Sequence, residues 1–314
     1  MKIIKHLIKP LLGILIIYFL IAKGGLSPAL IKQALLTHPF YIATALCFYL
    51  FLTVLAGFRW YILVRCGHNK IGFSNIFSLH MIGLFFVTIL PGGTGGDFVK
   101  GYYIYRDTTS KKAFALTSIL MDRIVGAYGL LLWGITGVFL NWKMAFYHPI
   151  LKWNCFFYLT MFFILTSLII LFFSPFALMV LNHPLIGKLP GKKALKGLFD
   201  AIQVYRNYPR ILLASLLLTL VIHGSIILIF YFTALGLDIE LNIIKHGFVV
   251  PVLMMINGLP ISPGGIGVGE AAAHTLYSLI NVSKGGEILV FFHVFVIIVA
   301  IIGAPFYFLY RKKT

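Results

Sequence analysis

The sequence predicts an all-α integral membrane protein: about six transmembrane helices plus two opposed re-entrant broken hairpins, arranged as an inverted repeat in a single membrane domain covering 1–314. Three observations predict it. Hydrophobic residues fill 60% of the 314 positions and charged residues 11%, against about 25% charge in a soluble domain, so there is too little charge to coat a globule of this size. The stretches 39–58, 154–173 and 211–237 contain no Asp, Glu, Lys or Arg, and roughly 20 such residues cross the hydrocarbon core. Two Pro/Gly clusters interrupt apolar sequence, one in each half.

The elements follow in chain order. Residues 7–22 form a first apolar run behind Lys2, Lys5 and Lys9. Ala22-Lys23-Gly24-Gly25 is a poor small-residue cleavage site and further spans follow, so the run reads as a retained first helix and not a signal peptide. Residues 39–58 are the second span, 113–140 the third, 154–173 the fourth, 211–237 the fifth and 288–310 the sixth. Between them lie the stretches 71–99 and 248–280, which hold the two clusters. Pro removes a backbone donor and Gly weakens a helix. Backbone freed in this way at membrane depth is tolerated only inside protein or beside a wet cavity.

Loop charge selects the topology. If every apolar stretch crosses once, 71–90 and 248–280 included, the inner loops carry 12 Lys and Arg and the outer loops 13. If 71–99 and 248–280 each enter and leave on one side, the inner segments 1–9, 59–70, 100–112, 183–210 and 311–314 carry 3, 3, 4, 6 and 3, which is 19. The outer loops then carry 6. Basic residues concentrate on the cytoplasmic side, so the second arrangement is preferred, with both termini cytoplasmic. The net charge of +18 lies in these short loops, where it sets orientation and meets anionic lipid; nucleic acid is not an expected partner. The stretch Lys192–Arg210, within a basic connector 183–210, reads as a cytoplasmic surface helix.

The clusters resemble each other. Pro91-Gly92-Gly93-Thr94-Gly95-Gly96-Asp97 and Pro263-Gly264-Gly265-Ile266-Gly267-Val268-Gly269-Glu270 each lead from Pro-Gly-Gly to an acid, and Ser-Lys follows thirteen residues after each acid. The chain therefore divides into a first repeat of about 7–140 and a second of about 154–310. Three crossings per repeat is an odd number, so the second is inverted. Inverted repeats with broken helices meeting near the midplane are a transporter architecture.

Asp97, Asp122 and Glu270 lie in or beside apolar sequence, where a carboxylate needs a partner or water. For Asp97 and Glu270 two readings stand. Each can cap a helix by accepting backbone N–H bonds, or each can belong to a glycine-backbone cradle for a phosphate, with Lys100 one turn from Asp97 offsetting its charge. Asp122 and Arg123 point about 100° apart on a helix and each needs a separate partner. Arg123 matches phosphate oxygens; an ion pair with Asp97 or Glu270 is the alternative. His80, His223, His274 and His293 read as packed or hydrogen-bonded residues, with a proton relay as the alternative. Arg59-Trp60-Tyr61 reads as an interfacial anchor. Cys47, Cys66 and Cys155 read as small buried hydrophobes. No metal-ligand spacing, phosphate-binding Walker loop, zinc helix or nucleophile elbow occurs, so no cofactor, metal or catalytic residue is expected, and the expectation is that the chain is not an enzyme.

On the stretches LPGGTGGDFVKGYYIYR (90–106), TSILMDRIVGAYGLL (117–131) and LPISPGGIGVGEAA (259–272), the chain resembles the lysylphosphatidylglycerol synthase transmembrane-region family, also called flippase-like or UPF0104. The resemblance implies a multi-pass protein of the bacterial inner membrane that handles lipids. Its motifs fall on Gly96-Asp97, Asp122-Arg123, and Pro263, Gly264, Gly265 and Glu270. Lys100 stands where an Arg is expected, which keeps the charge and loses the fork. The chain ends at Thr314 without an aminoacyltransferase domain, so lysyl-lipid synthesis is not expected. The function expected is a lipid flippase without its own ATPase, moving an anionic or aminoacylated phospholipid or a polyprenyl-phosphate or hopanoid-type lipid. Its substrate-binding residues would be Asp97, Lys100, Asp122, Arg123, Glu270, Gly92, Gly93, Gly95, Gly96, Pro263, Gly264 and Gly265. The alternatives are a membrane enzyme acting on a lipid-phosphate and an accessory subunit that docks a separate lipid-modifying enzyme.

Overall fold

The computed structural model describes residues 28–67, 71–88, 95–108, 112–147, 149–174, 192–259, 262 and 264–312. Among these every regular element is helical. In order they are α1 (Pro28–Thr37), α2 (Pro39–Arg65), α3 (Phe73–Val87), α4 (Gly95–Asp107), α5 (Lys112–Leu140), α6 (Trp142–Tyr147), α7 (Pro149–Phe173), α8 (Lys192–Val204), α9 (Pro209–Gly236), α10 (Ile243–Asn257), α11 (Val268–Ser278) and α12 (Gly285–Lys312). A short 3₁₀ turn, Tyr205–Asn207, joins α8 to α9. Proline opens α1, α2, α7 and α9, where its missing N–H costs nothing and its fixed φ already suits a helix. Asn242 caps α10 by accepting the N–H of Ile244 at 2.8 Å.

Five of these helices, α2, α5, α7, α9 and α12, are long and apolar enough to cross a membrane. At 1.5 Å per residue, α2 with its 27 residues is about 40 Å long, more than the roughly 30 Å hydrocarbon core. The chain is thus an all-α, multi-pass membrane protein. The first predicted span, 7–22, lies outside the described residues.

Both predicted hairpins are helix–break–helix, and helix lengths repeat along the chain. In the first half α2, α3, α4 and α5 have 27, 15, 13 and 29 residues. In the second half α9, α10, α11 and α12 have 28, 15, 11 and 28. The described helices end at Val87 and Asn257 and resume at Gly95 and Val268, on either side of the two Pro/Gly clusters; Pro91, Gly92, Gly93 and Pro263 lie outside the described residues.

By contact the chain forms two compact units, which cut across these halves. The first takes the described residues up to Leu52, with Ser78–Val99 and Ser225 onward; the second takes Thr53–Phe77 and Lys100–Gly224.

In the first unit, Tyr49 of α2 meets Phe292 of α12 edge-on at 5.4 Å. Three glycines let helices approach closely, because a Cβ on any of them would overlap a neighbour. A Cβ on Gly96 would lie 2.2 Å from the carbonyl oxygen of Gly83, one on Gly303 would lie 2.5 Å from that of Met81, and one on Gly285 would lie 2.4 Å from the Tyr277 side chain.

In the second unit, α8 packs on α5 and α7. It is amphipathic: Phe199 and Ile202 are buried, while Lys196 and Asp200 are exposed. Its buried face joins Leu63, Cys66, Phe114, Met121 and Tyr205 in one cluster. Phe114 stacks on Tyr205 at 5.0 Å, and the Tyr205 hydroxyl donates to the carbonyl of Leu63 at 3.1 Å. Gln203 Nε2 donates to the carbonyl of Phe172. The surface helix expected from sequence is therefore anchored to the spans by its own apolar stripe.

Candidate functional site

Among the described residues, each unit holds a polar cluster built around one of the predicted acids. In the second unit it centres on Asp122 of α5. Arg59 Nε donates to Asp122 Oδ1 at 2.8 Å, with the two side chains 10% and 16% exposed. Arg59 Nη1 donates to Thr219 Oγ1 at 2.9 Å, and that hydroxyl donates onward to the Ser215 carbonyl at 2.7 Å. A carboxylate and a guanidinium taken from water demand this degree of mutual satisfaction.

A glycine admits Thr219 beside the pair: a Cβ on Gly129 would stand 2.4 Å from Thr219 Cγ2, whereas one on Gly126 would make ordinary contact with the guanidinium nitrogens at 3.7 Å. His223 hydrogen-bonds the carbonyl of Gly126 at 3.0 Å. Lys100, 8% exposed, holds its ammonium 5.2 Å from the ring centroid of Trp60, an attraction of cation to ring face. The Trp60 indole donates to Ser118 Oγ at 3.1 Å.

Arg59 corrects the sequence reading. It is no interfacial anchor, because α2 continues to Arg65 and Arg59 sits nearly two turns inside it. Trp60, Leu63 and Val64 are all buried beside it. A charge-free window ends a span at the first charge, whereas a helix continues as long as its backbone bonds and its neighbours allow. The separate partner required for Asp122 exists, and it is Arg59. Arg123 is exposed on α5. Thr219 carried no sequence signal; Arg59 did, as an Arg flanked on both sides by apolar runs.

In the first unit the cluster centres on Glu270, in the first turn of α11. Its Oε2 accepts the N–H of Gly267 at 2.6 Å, so the helix-capping reading holds for this residue. Its Oε1 accepts from His293 Nδ1 of α12 at 2.7 Å, with His293 3% and Glu270 14% exposed. His293 Nε2 lies 3.3 Å from Asn257 Oδ1, at the end of α10.

The glycines after the break fit this chain of contacts. Gly265 has φ +80°, and a Cβ there would lie 2.2 Å from Asn257 Oδ1; at Gly269 the distance would be 2.4 Å. Asn257 thus fills the space that the two missing side chains leave. Two turns along α11 from Glu270, the Tyr277 hydroxyl bonds His246 Nδ1 at 2.7 Å. A carboxylate bonded to an imidazole can take up and release a proton without exposing a bare charge. His293 is hydrogen-bonded, as the sequence reading held. Asn257, His246 and Tyr277 were not singled out, since one amide, one imidazole and one phenol at helix ends carry no pattern.

Asp97 lies in the first turn of α4, two residues from its start, and is half-buried. An acid therefore stands in the first turn of a helix in both halves of the chain. Gly95 and Gly96 are buried at that helix start, and Gly264 takes φ +61° at the second break. Among the described residues no group of three or more His, Cys, Asp or Glu is arranged to hold a metal ion. The predicted residues thus divide by unit: Asp97 and Glu270 in the first, Lys100, Asp122 and Arg123 in the second.

The family described as "Lysylphosphatidylglycerol synthase TM region" matches residues 6–304. A UPF0104 membrane protein of Methanocaldococcus jannaschii is 28% identical over 125 residues, which is 40% of this chain and 37% of that protein. The chain thus aligns with little more than a third of the curated relative's length. No solved structure matches.

Proposed function

From its membership of the lysylphosphatidylglycerol synthase transmembrane-region family, we propose that this chain moves a phosphate-bearing lipid between leaflets without an ATPase of its own. The substrate class is an anionic or aminoacylated phospholipid, or a polyprenyl-phosphate lipid. One observation carries the reading: a chain with 8 acids in 314 residues keeps Asp122 within a membrane-crossing helix, bonded to a buried Arg59. Ionisable residues held at membrane depth mark substrate or ion pathways.

In this reading Arg123 and Lys100 meet the phosphate, while Asp97, Asp122 and Glu270 meet a cationic group or tune the polarity of the path. The glycines of the two breaks let backbone N–H groups approach the headgroup. The chain sits in the bacterial cytoplasmic membrane with both termini inside, and it transports without making or breaking covalent bonds.

The test is translocation of a fluorescent phosphatidylglycerol in proteoliposomes, followed by loss of signal to an outside quencher. Arg123→Ala should slow it about tenfold, the loss of roughly 1.4 kcal/mol of charge-assisted bonding. Arg123→Lys should fall between, since it keeps charge and loses the fork. Equal rates for wild type and Arg123→Ala would remove Arg123 from the path.

A further inference from the structure

The second unit contains a slot that the polar residues do not use. It has a volume of about 330 Å³ and lies between α5, α7 and α9. At one end stand Met121, Phe173 and Leu212; at the other stand Tyr128 and Thr166. The helices run so that these ends oppose: Tyr128 Oη pairs with Thr166 Oγ1 at 3.3 Å, while Met121, Phe173 and Leu212 share the cluster under α8. Seven residues of α5 separate the ends, a depth of about 10 Å.

Three features choose the occupant. The remaining wall is aliphatic, and its two hydroxyls are already bonded to each other, so water has too few partners to fill the space. Leu213 lines the slot yet is 57% exposed, which leaves one side open to whatever surrounds the spans. Three exposed basic residues stand close beyond the Met121–Phe173–Leu212 end. Exposed Arg206 and Arg210 stand on the turn and first helical turn just before Leu212, and exposed Lys196 stands on α8, with Asp200 as the acid beside it. An aliphatic slot with a basic rim at one end matches an amphiphile with an anionic head.

We propose that this slot binds one acyl chain of an anionic glycerophospholipid, with its phosphate at the α8–α9 corner by Arg206 and Arg210. None of its lining residues is assigned to transport, although Met121 and Ile124 flank Asp122 and Arg123 on α5, and the slot exists whether or not the chain moves lipid. It would hold a lipid in place against the spans and tie α8 to the anionic leaflet.

The test is photolabelling of the full chain in nanodiscs with a phosphatidylglycerol that carries a diazirine on its acyl chain. Adducts should concentrate on residues 121–128, 166–173 and 212–216. Thr166→Trp and Leu216→Trp fill the slot and should each cut those adducts about tenfold, the effect of excluding about two methylenes. Leu217→Trp, on the exposed face of α9, should leave them unchanged. Arg206→Gln with Arg210→Gln should abolish the preference for this probe over a phosphatidylcholine with the same tail.

Adducts spread evenly over every exposed span face in the wild type would overturn the proposal without recourse to any variant. So would equal slot labelling in wild type and a folded filled variant. Equal labelling by the two wild-type headgroups would overturn the phosphate position. Slot adducts in a chain that moves no lipid would count against the transport reading alone.

Discussion

Arg59→Met should be among the most damaging single substitutions in the second unit, and Arg59→Met with Asp122→Leu should be far milder. The single change strands Asp122, a carboxylate 16% exposed whose Oδ1 is 2.8 Å from the lost guanidinium. Breaking a buried ion pair from one side costs about 3–5 kcal/mol, whereas replacing both partners by apolar groups of similar volume is often neutral or better. Arg59 also gives up its bond to Thr219. That bond is donated by a guanidinium, and hydrogen bonds to charged groups contribute about 1.5–3 kcal/mol, so the stranded charge is read from the coupling between the two positions and not from the size of the single loss. The assay is unfolding in mild detergent titrated with dodecyl sulfate, followed by tryptophan fluorescence, on wild type, both single variants and the double. The cycle should return a coupling of about 2 kcal/mol or more, the size seen for partners in one buried network. Two results would refute the reasoning: Arg59→Met within about 0.5 kcal/mol of wild type, the range of neutral surface changes, or a double variant as unstable as the sum of the singles.

Two further outcomes are expected. Burial pushes the Cys66 thiol up to about 11, so at pH 7 only about one molecule in ten thousand carries the reactive thiolate; N-ethylmaleimide should spare Cys66 in the folded chain and modify it once the chain is unfolded, as peptide mass spectrometry would read. Gly265→Ala and Gly269→Ala should each destabilise the first unit by about 1–3 kcal/mol through overlap with Asn257. An Asn257→Ala background should relieve Gly269→Ala more than Gly265→Ala, because Gly265 also abuts the Asn257 backbone carbonyl and holds φ +80°, a conformation that costs alanine about 1–2 kcal/mol. Equal relief at both positions would contradict that geometry.

Much of the architecture was legible along the chain. The charge-free runs 154–173 and 211–237 lie inside α7 and α9 almost end to end, because lipid accepts only apolar side chains over the length of a span. The two breaks were legible because Pro and Gly act on the backbone locally, whatever packs around them. The basic residues of Lys192–Arg210 mark a surface helix; where that helix docks was not legible, and α8 packs on α5 and α7 with Phe199 and Ile202 buried.

The candidate site was legible in its members and illegible in its pairings. Sequence alone determined that Asp122 and Glu270 need partners, since desolvating a carboxylate carries the same cost in any fold. It did not determine which partners. Arg59 lies 63 residues from Asp122, and His293 lies 23 from Glu270 across a helical break. Those pairings depend on which helix faces meet, and close approaches at Gly129, Gly265 and Gly269 help to set that. A missing Cβ is visible in a sequence; what fills the gap becomes visible only when two distant segments are packed together.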